Sequence, residues 1–223
     1  NISSGELEIY GSGKMTDYFT NGPFYNYRYY INSVVIKDGV TSIGDCAFQE
    51  SGLKSIYIPK SVSCISYYAF GACYKLEAIN VSVENQAYMS KDGVLFSHNK
   101  TILITYPCGK KGRYSIPYSV EKIAFYAFYA CKQLSYISIP YGVLKIERDA
   151  FSYCSQLSYI SFPSSVTFID QCAFFCCSGL SSVIIPPTVK KLNYGTFNGC
   201  VKLSLLIYLG KFDAHDSNVF NNC

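Results

Sequence analysis

A twelve-residue signature recurs along this chain at a fixed interval, and the recurrence restricts the fold before any local propensity is consulted. IERDAFSYCSQL occupies residues 146–157. IDQCAFFCCSGL follows 23 residues on at 169–180, LNYGTFNGCVKL another 23 on at 192–203, and IAFYAFYACKQL stands 23 earlier at 123–134. Earlier copies begin at Ile43, one residue short, and at Ile65, and a truncated copy covers residues 215–223, starting at His215. Each copy leads into L-x-x-I-x-I-P or a variant, as in Leu53/Ile56/Ile58/Pro59, Leu134/Ile137/Ile139/Pro140, Leu157/Ile160/Phe162/Pro163 and Leu180/Val183/Ile185/Pro186.

Alternation supplies the local reading. Ile56 and Ile58 fall on one face of a short strand, Ser55 and Tyr57 on the other, and the proline, which has no N–H to give a ladder, ends it. The downstream V-x-x-I and A-F-x-x-C positions (Val62, Ile65, Ala69, Phe70, Cys73) fit a return arm with a tight or 3₁₀ turn. One period is therefore one coil of a repeat solenoid, mostly β with short 3₁₀ or helical turns. Coils stacked about 4.8 Å apart place equivalent side chains in columns. Phe48, Phe70, Phe128, Phe151, Phe174, Phe197 and Phe220 make one; Cys73, Cys131, Cys154, Cys177, Cys200 and Cys223 make another. The cysteine column reads as buried free thiols packing as small hydrophobes, with bridges between neighbours as the minority alternative. Cys46, Cys64, Cys108, Cys172 and Cys176 lie outside that slot and are expected to be exposed or bridged.

Composition narrows the function classes. With 49% hydrophobic and 15% charged residues the chain can bury a core. Nineteen basic against fifteen acidic residues leave +4, short of the basic balance of a dedicated nucleic-acid binder, so no nucleic acid is expected as a partner. No run of about eighteen apolar residues is present to span a bilayer. Two histidines, His98 and His215, are poor material for histidine zinc sites or nucleophile–histidine catalysis, and no C-x-x-C occurs. Gly11-Ser-Gly13-Lys14 lacks both the first glycine and the hydroxyl residue of a phosphate-binding loop, and His98 and Cys108 have no evident orienting acid. The chain is expected to be no enzyme and to need no metal or cofactor.

Two regions break the period. Leu76 to Leu134 spans 58 residues, and the recurrence of Ile79 and Val81 as Ile102 and Ile104 predicts a degenerate coil with a hairpin turn at His98-Asn99-Lys100, an insertion at about 82–116. Residues 108–113 read as a glycine-rich loop before Ile116-Pro117 restores the register. Residues 1–30, with Leu7, Ile9 and an aromatic run from Phe24 to Tyr30, are expected to form an N-terminal β cap covering the end of a solenoid at 31–223 built of 22–23-residue coils. Because the sequence stops within a coil, more coils are expected beyond residue 223.

The pattern GxLxIxGxGxM at residues 5–15, the string GVTSIGDCAF at 39–48, the I-x-I-P-x-x-V turns and the Asp92-Gly-Val-Leu-Phe96 insertion resemble the BspA-like leucine-rich repeat proteins, over almost the whole chain. The resemblance implies a non-enzymatic protein, secreted or displayed at the cell surface. Relatives are associated with adhesion to extracellular-matrix proteins such as fibronectin and fibrinogen, to epithelium and to other microbes. Host matrix or cell-surface proteins and glycans, and other microbial cells, are the partners it implies.

Outward strand positions, on the sheet expected to be concave, are the candidate binding face: Tyr57, Asn80, Tyr136, Ser138, Tyr159 and Ser161, since aromatic side chains with a polar tip suit interfaces. Ordinary stacking along a sheet is the alternative. Lys122, Lys145 and Lys191 share a repeat position beside Lys190, and with Lys110, Lys111 and Arg113 they are candidates for anionic glycans, against the alternative of a solvated face. Asn80 and Asn99 stand in glycosylation sequons, as does Asn1. Two function classes remain: a surface adhesin, or a structural spacer that displays another domain and has no ligand of its own.

Overall fold

The computed structural model describes residues 5–18, 24–210 and 218–223, and the chain divides into two compact units, residues 1–110 and 111–223. In the first unit β1 (Glu6–Ile9), β2 (Gly13–Lys14), β3 (Ser33–Ile36), β4 (Val40–Ile43), β5 (Ser55–Ile58), β6 (Cys64–Ile65) and β7 (Ala78–Val81) feed two parallel sheets by turns. One sheet has the order β1-β3-β5-β7, the other β2-β4-β6. Registers are whole-coil shifts: Leu7 pairs Val34, Val34 pairs Ile56 and Ile56 pairs Ile79. The stretch expected as a cap thus supplies β1 and β2, each parallel to a strand of the next coil, and a 3₁₀ helix at Tyr25–Tyr30.

The second unit repeats the plan. β11 (Gly112–Ser115) pairs β13 (Leu134–Ser138), and β15 (Tyr159–Ser161), β17 (Ser182–Ile185) and β18 (Leu205–Tyr208) form one parallel sheet. β12 (Lys122–Ile123), β14 (Lys145–Ile146) and β16 (Phe168–Ile169) form another. The prolines sit where the coil turns from one sheet to the other: the Val143, Val166 and Val189 amides donate to the carbonyls of Pro140, Pro163 and Pro186. That turn explains the I-P-x-x-V spacing. A hydroxyl in front of the valine reaches one coil back, as Ser165 does to Val143 at 2.9 Å and Thr188 to Val166 at 2.6 Å.

The return arm is a run of overlapping turns interrupted by left-handed residues. Asp149 (φ 54°) and Tyr153 (φ 63°) flank Phe151, and Cys172 (φ 54°) and Cys176 (φ 53°) flank Phe174. Left-handed backbone costs a non-glycine residue about 1–2 kcal/mol, and here it turns the amides toward the next coil. Phe151 N–H donates to Ala173 O and Tyr153 N–H to Phe175 O, both at 2.8 Å. The following coil has Gly195 and Gly199 in the two slots, where a Cβ would stand 2.9 Å and 2.8 Å from the Cys172 and Cys176 sulfurs.

Between arm and sheets the predicted columns form within each unit. Phe128, Phe151, Phe174, Phe197 and Phe220 stack with ring centroids 4.7, 5.1, 5.5 and 5.9 Å apart and their planes nearly parallel. In the first unit Phe24, Phe48 and Phe70 stack at 6.2 and 5.9 Å; Phe24, in an irregular segment, had no repeat position to betray it. The cysteine slot has a polar reason as well as an apolar one. The thiols of Cys154, Cys177, Cys200 and Cys223 donate to the carbonyls of Phe128, Phe151, Phe174 and Phe197 one coil back, at 2.9–3.2 Å, and Cys73 does the same to Phe48.

All eleven cysteines are free. Cys64 is exposed and Cys172 and Cys176 are half-buried, but Cys46 and Cys108 are buried, against expectation. Cys46 shares the wall of a small cavity with Phe24, Tyr25 and Arg28, so the 3₁₀ segment covers it. Cys108 is carried inward by the turn in which Gly109 N–H bonds Leu76 O.

The insertion also departs from the sequence reading. Ile102 and Ile104 do not continue the parallel ladder of Ile79 and Val81. They lie on β10 (Ile102–Thr105), which pairs antiparallel with β9 (Val94–Ser97), itself antiparallel to β8 (Tyr88–Lys91). Asp92 (φ 53°) and Gly93 (φ 77°) make the two-residue β8–β9 turn, whose twist suits a hairpin, and Gly93 O takes the Ile79 amide that a parallel strand would have taken. Gly112 and Arg113, at the end of the stretch read as a loop, open strand β11. The start of the final truncated copy, residues 215–217 with His215, lies outside the described residues.

The columns give three testable outcomes. Phe151→Ala should lower stability by about 3–5 kcal/mol, and an unmoved urea midpoint would contradict the stack. Burial pushes the Cys73 and Cys200 thiols from the ordinary 9.0 up to about 12. They stay protonated in the folded chain while the unfolded chain ionises, so stability should fall between pH 9 and pH 12, by about 1.4 kcal/mol per pH unit for each such thiol. Denaturation at pH 8 and pH 10.5 measures it. Native protein should react with a thiol reagent at pH 8 only at Cys64, Cys172, Cys176 and Cys223, the four not buried.

Candidate functional site

Alternate residues of the parallel strands point off the sheet, so each unit presents an outward face. In the first, Tyr57 stands between Val35 and Asn80 in register, and Tyr57 (46% exposed) and Asn80 are open to solvent. Next to them β1 brings Glu8, which pairs with Lys37 at 2.9 Å and accepts the Tyr10 hydroxyl. These two bonds, the lysine's first, hold the Glu8 carboxyl below its ordinary range.

In the second unit Tyr136 and Ser138 on β13 lie beside Tyr159 and Ser161 on β15, and Tyr159 and Ser161 pair Ser182 and Ile184 of β17. The structure therefore gathers the six candidate residues into two groups, Tyr57 with Asn80 and Tyr136/Ser138 with Tyr159/Ser161, one in each unit. Arg113 was missed as a member of this face. It pairs Tyr136 in register, and its guanidinium carbon lies 5.4 Å from the Tyr136 ring centroid, in cation–π range. The signal was present: Arg113, Tyr136 and Tyr159 are 23 residues apart, and R-Y-S-I-P aligns with Y-I-S-I-P. The glycines around it concealed the strand.

A family model of the BspA type leucine-rich repeat region matches residues 18–109 and 105–223, in six copies. The chain belongs to this family. Among solved structures it is similar to a leucine-rich repeat protein from Eubacterium ventriosum, at 26% identity and a TM-score of 0.62, over 92% of this chain and 80% of that one. It is also similar to a leucine rich cell surface protein from Faecalibacterium prausnitzii, at 27% identity and a TM-score of 0.70, over 92% of this chain and 60% of that one. The pneumococcal vaccine antigen PcpA shares the fold, at 22% identity and a TM-score of 0.60, over 82% of this chain and 58% of that one. No curated protein matches.

The lysines of this BspA-type chain are not equivalent. Lys122 and Lys145 pair in register, but Phe168 takes the next position before Lys191. Lys122 is tied to Glu147 at 3.3 Å, and Lys190 donates to Pro187 O at 2.9 Å, whereas Lys145 and Lys191 reach into solvent. Lys110 donates to Asp92 O. Glu147 Oε2 is buried with no hydrogen-bond partner, so Lys122 is the local counter-charge for a carboxylate with little access to water.

Asn99 is exposed in the β9–β10 turn, where its Oδ1 accepts the hydroxyls of Ser97 and Thr101 and the Thr101 amide. Asn80 sits beside Tyr57, so a glycan there would cover that face. Asn1 lies outside the described residues. The His98 ring is held by Asn85 O at 2.9 Å. Among the described residues no three His, Cys, Asp or Glu side chains are grouped to hold a metal ion, and no helix is long and apolar enough to cross a membrane.

Lys122→Met should destabilise by about 1–3 kcal/mol, because it strands the Glu147 carboxylate, while Lys145→Met should stay within roughly 0.5 kcal/mol. Urea midpoints of the two variants make the comparison. Equal effects would show that the Lys122–Glu147 pair is inert.

Proposed function

We propose that this BspA-type repeat chain is a non-enzymatic interaction module, a cell-surface or secreted adhesin that uses its outward strand faces to hold host extracellular-matrix or cell-surface molecules, or other microbes. The observation that carries the reading is Arg113 paired in register with Tyr136 and flanked by Tyr159 on the adjacent strand, three residues one period apart. Arginine and tyrosine are the residue types that concentrate binding energy at interfaces. Held on strands, they lose little conformational freedom on binding. Tyr57 and Asn80 offer a smaller face in the first unit. The anionic-glycan role of Lys145 and Lys191, with Lys122 and Lys190 engaged elsewhere, and glycosylation at Asn99 remain subsidiary proposals.

Immobilised chain should bind fibronectin or fibrinogen in solution, and Tyr136→Ser with Tyr159→Ser should weaken that binding at least tenfold while leaving the unfolding midpoint in place. A chain that binds none of a panel of matrix proteins, or that binds them independently of Tyr57, Tyr136 and Tyr159, is a spacer and not an adhesin.

A further inference from the structure

The outward face of the second unit is graded along the stack. Its first column reads Arg113, Tyr136, Tyr159, Ser182, Leu205 and its second Ser115, Ser138, Ser161, Ile184, Ile207. A cation with aromatic rings stands at one end, hydroxyls lie in the middle, and aliphatic side chains close the other end. Leu205 is 51% and Ile207 38% exposed. Both point off the sheet and not along its hydrogen-bonding edge, so pairing in the sheet does not cover them. No acidic residue occurs in β11, β13, β15, β17 or β18.

The charge of the chain follows the same division. Residues 111–223 hold ten Lys and Arg against six Asp and Glu, the entire +4, while residues 1–110 hold nine of each. The first unit's face carries Glu6 and Glu8 on β1, which would repel an acidic partner. The second unit's face has nothing to repel one.

We propose that this face takes an extended peptide laid across the strands, with an Asp or Glu side chain at Arg113 and an aliphatic or aromatic side chain over Ile184, Leu205 and Ile207. The proposal rests on the interaction-module reading above and names its partner class. Four strand spacings of about 4.8 Å make a span of roughly 19 Å, the length of about six extended residues. The planar guanidinium, already within cation–π range of the Tyr136 ring, can grip a carboxylate with two parallel hydrogen bonds. A polyanionic glycan would satisfy Arg113 but has no aliphatic side chain for the far end. A purely apolar segment would leave the cation and the serines without a counterpart.

The test is selection of a random twelve-residue peptide display library on the full chain, followed by titration of the enriched peptides, made synthetically, against variants. The expected set carries Asp or Glu about four to six residues from Leu, Ile, Phe or Tyr. Arg113→Glu and Ile207→Glu should each weaken binding at least tenfold, Arg113→Lys less, and Glu8→Gln in the first unit not at all, with unfolding midpoints unchanged throughout. Enriched peptides that are basic or lack an acid, yet still depend on Tyr136 and Tyr159, overturn the partner class and leave the interaction face standing. Peptides indifferent to Arg113, Ile207, Tyr136 and Tyr159 overturn both. A selection with no enrichment above an empty surface overturns the peptide proposal, and the matrix-protein measurement then judges the face on its own.

Discussion

Within each unit successive return arms are bonded through their backbone, and the register of the columns depends on those bonds. Phe151 and Tyr153 donate to Ala173 and Phe175, and Phe174 and Cys176 donate to Thr196 and Asn198. A slip of one residue would break this series and throw the phenylalanines out of line. In the second unit the bonds use two left-handed residues per arm, a strained choice for Asp149, Tyr153, Cys172 and Cys176. The strain persists because the stacked rings and both parallel sheets over-determine the arm.

The cysteine column belongs to the same constraint. The phenylalanine carbonyls face the interior, where each accepts the amide three residues on and keeps a second lone pair for a donor from the neighbouring coil. A thiol is small enough for the slot, apolar enough to pack, and able to donate one weak hydrogen bond. Burial at Cys73, Cys177 and Cys200 raises the pKa and keeps the proton on sulfur, where the bond needs it. The cysteine column in this light adds a second, inter-coil hydrogen bond to carbonyls that the backbone already engages, and the free state of all eleven residues agrees with it.

A scaffold that spends its interior residues on register has its outward strand positions available for recognition. Tyr57, Tyr136 and Tyr159 hold up no core, and their neighbours differ from coil to coil where the interior repeats. That contrast separates the candidate faces from the columns, and it sets Arg113, beside Tyr136 on the outward face, apart from Lys122, which is bound to Glu147.

The sequence alone determined the coil. Its 23-residue period, the alternation in Ile56-Tyr57-Ile58 and the Phe and Cys slots needed no tertiary information, because a repeating chain meets the same environment once per turn. The outward candidates followed from the same arithmetic. What only the tertiary structure decided lies where the period fails or where two coils must meet. Ile102 and Ile104 match the repeat in spacing yet lie antiparallel to β9, since the turns at Asp92-Gly93 and at 98–101 fold β8, β9 and β10 into an antiparallel meander. Cys46 is buried by a segment with no repeat position, Arg113 hides its strand among glycines, and the Lys122–Glu147 pair joins neighbouring coils. Periodicity reports what each coil does for itself, whereas contacts made across coils or by irregular segments depend on geometry that no spacing encodes.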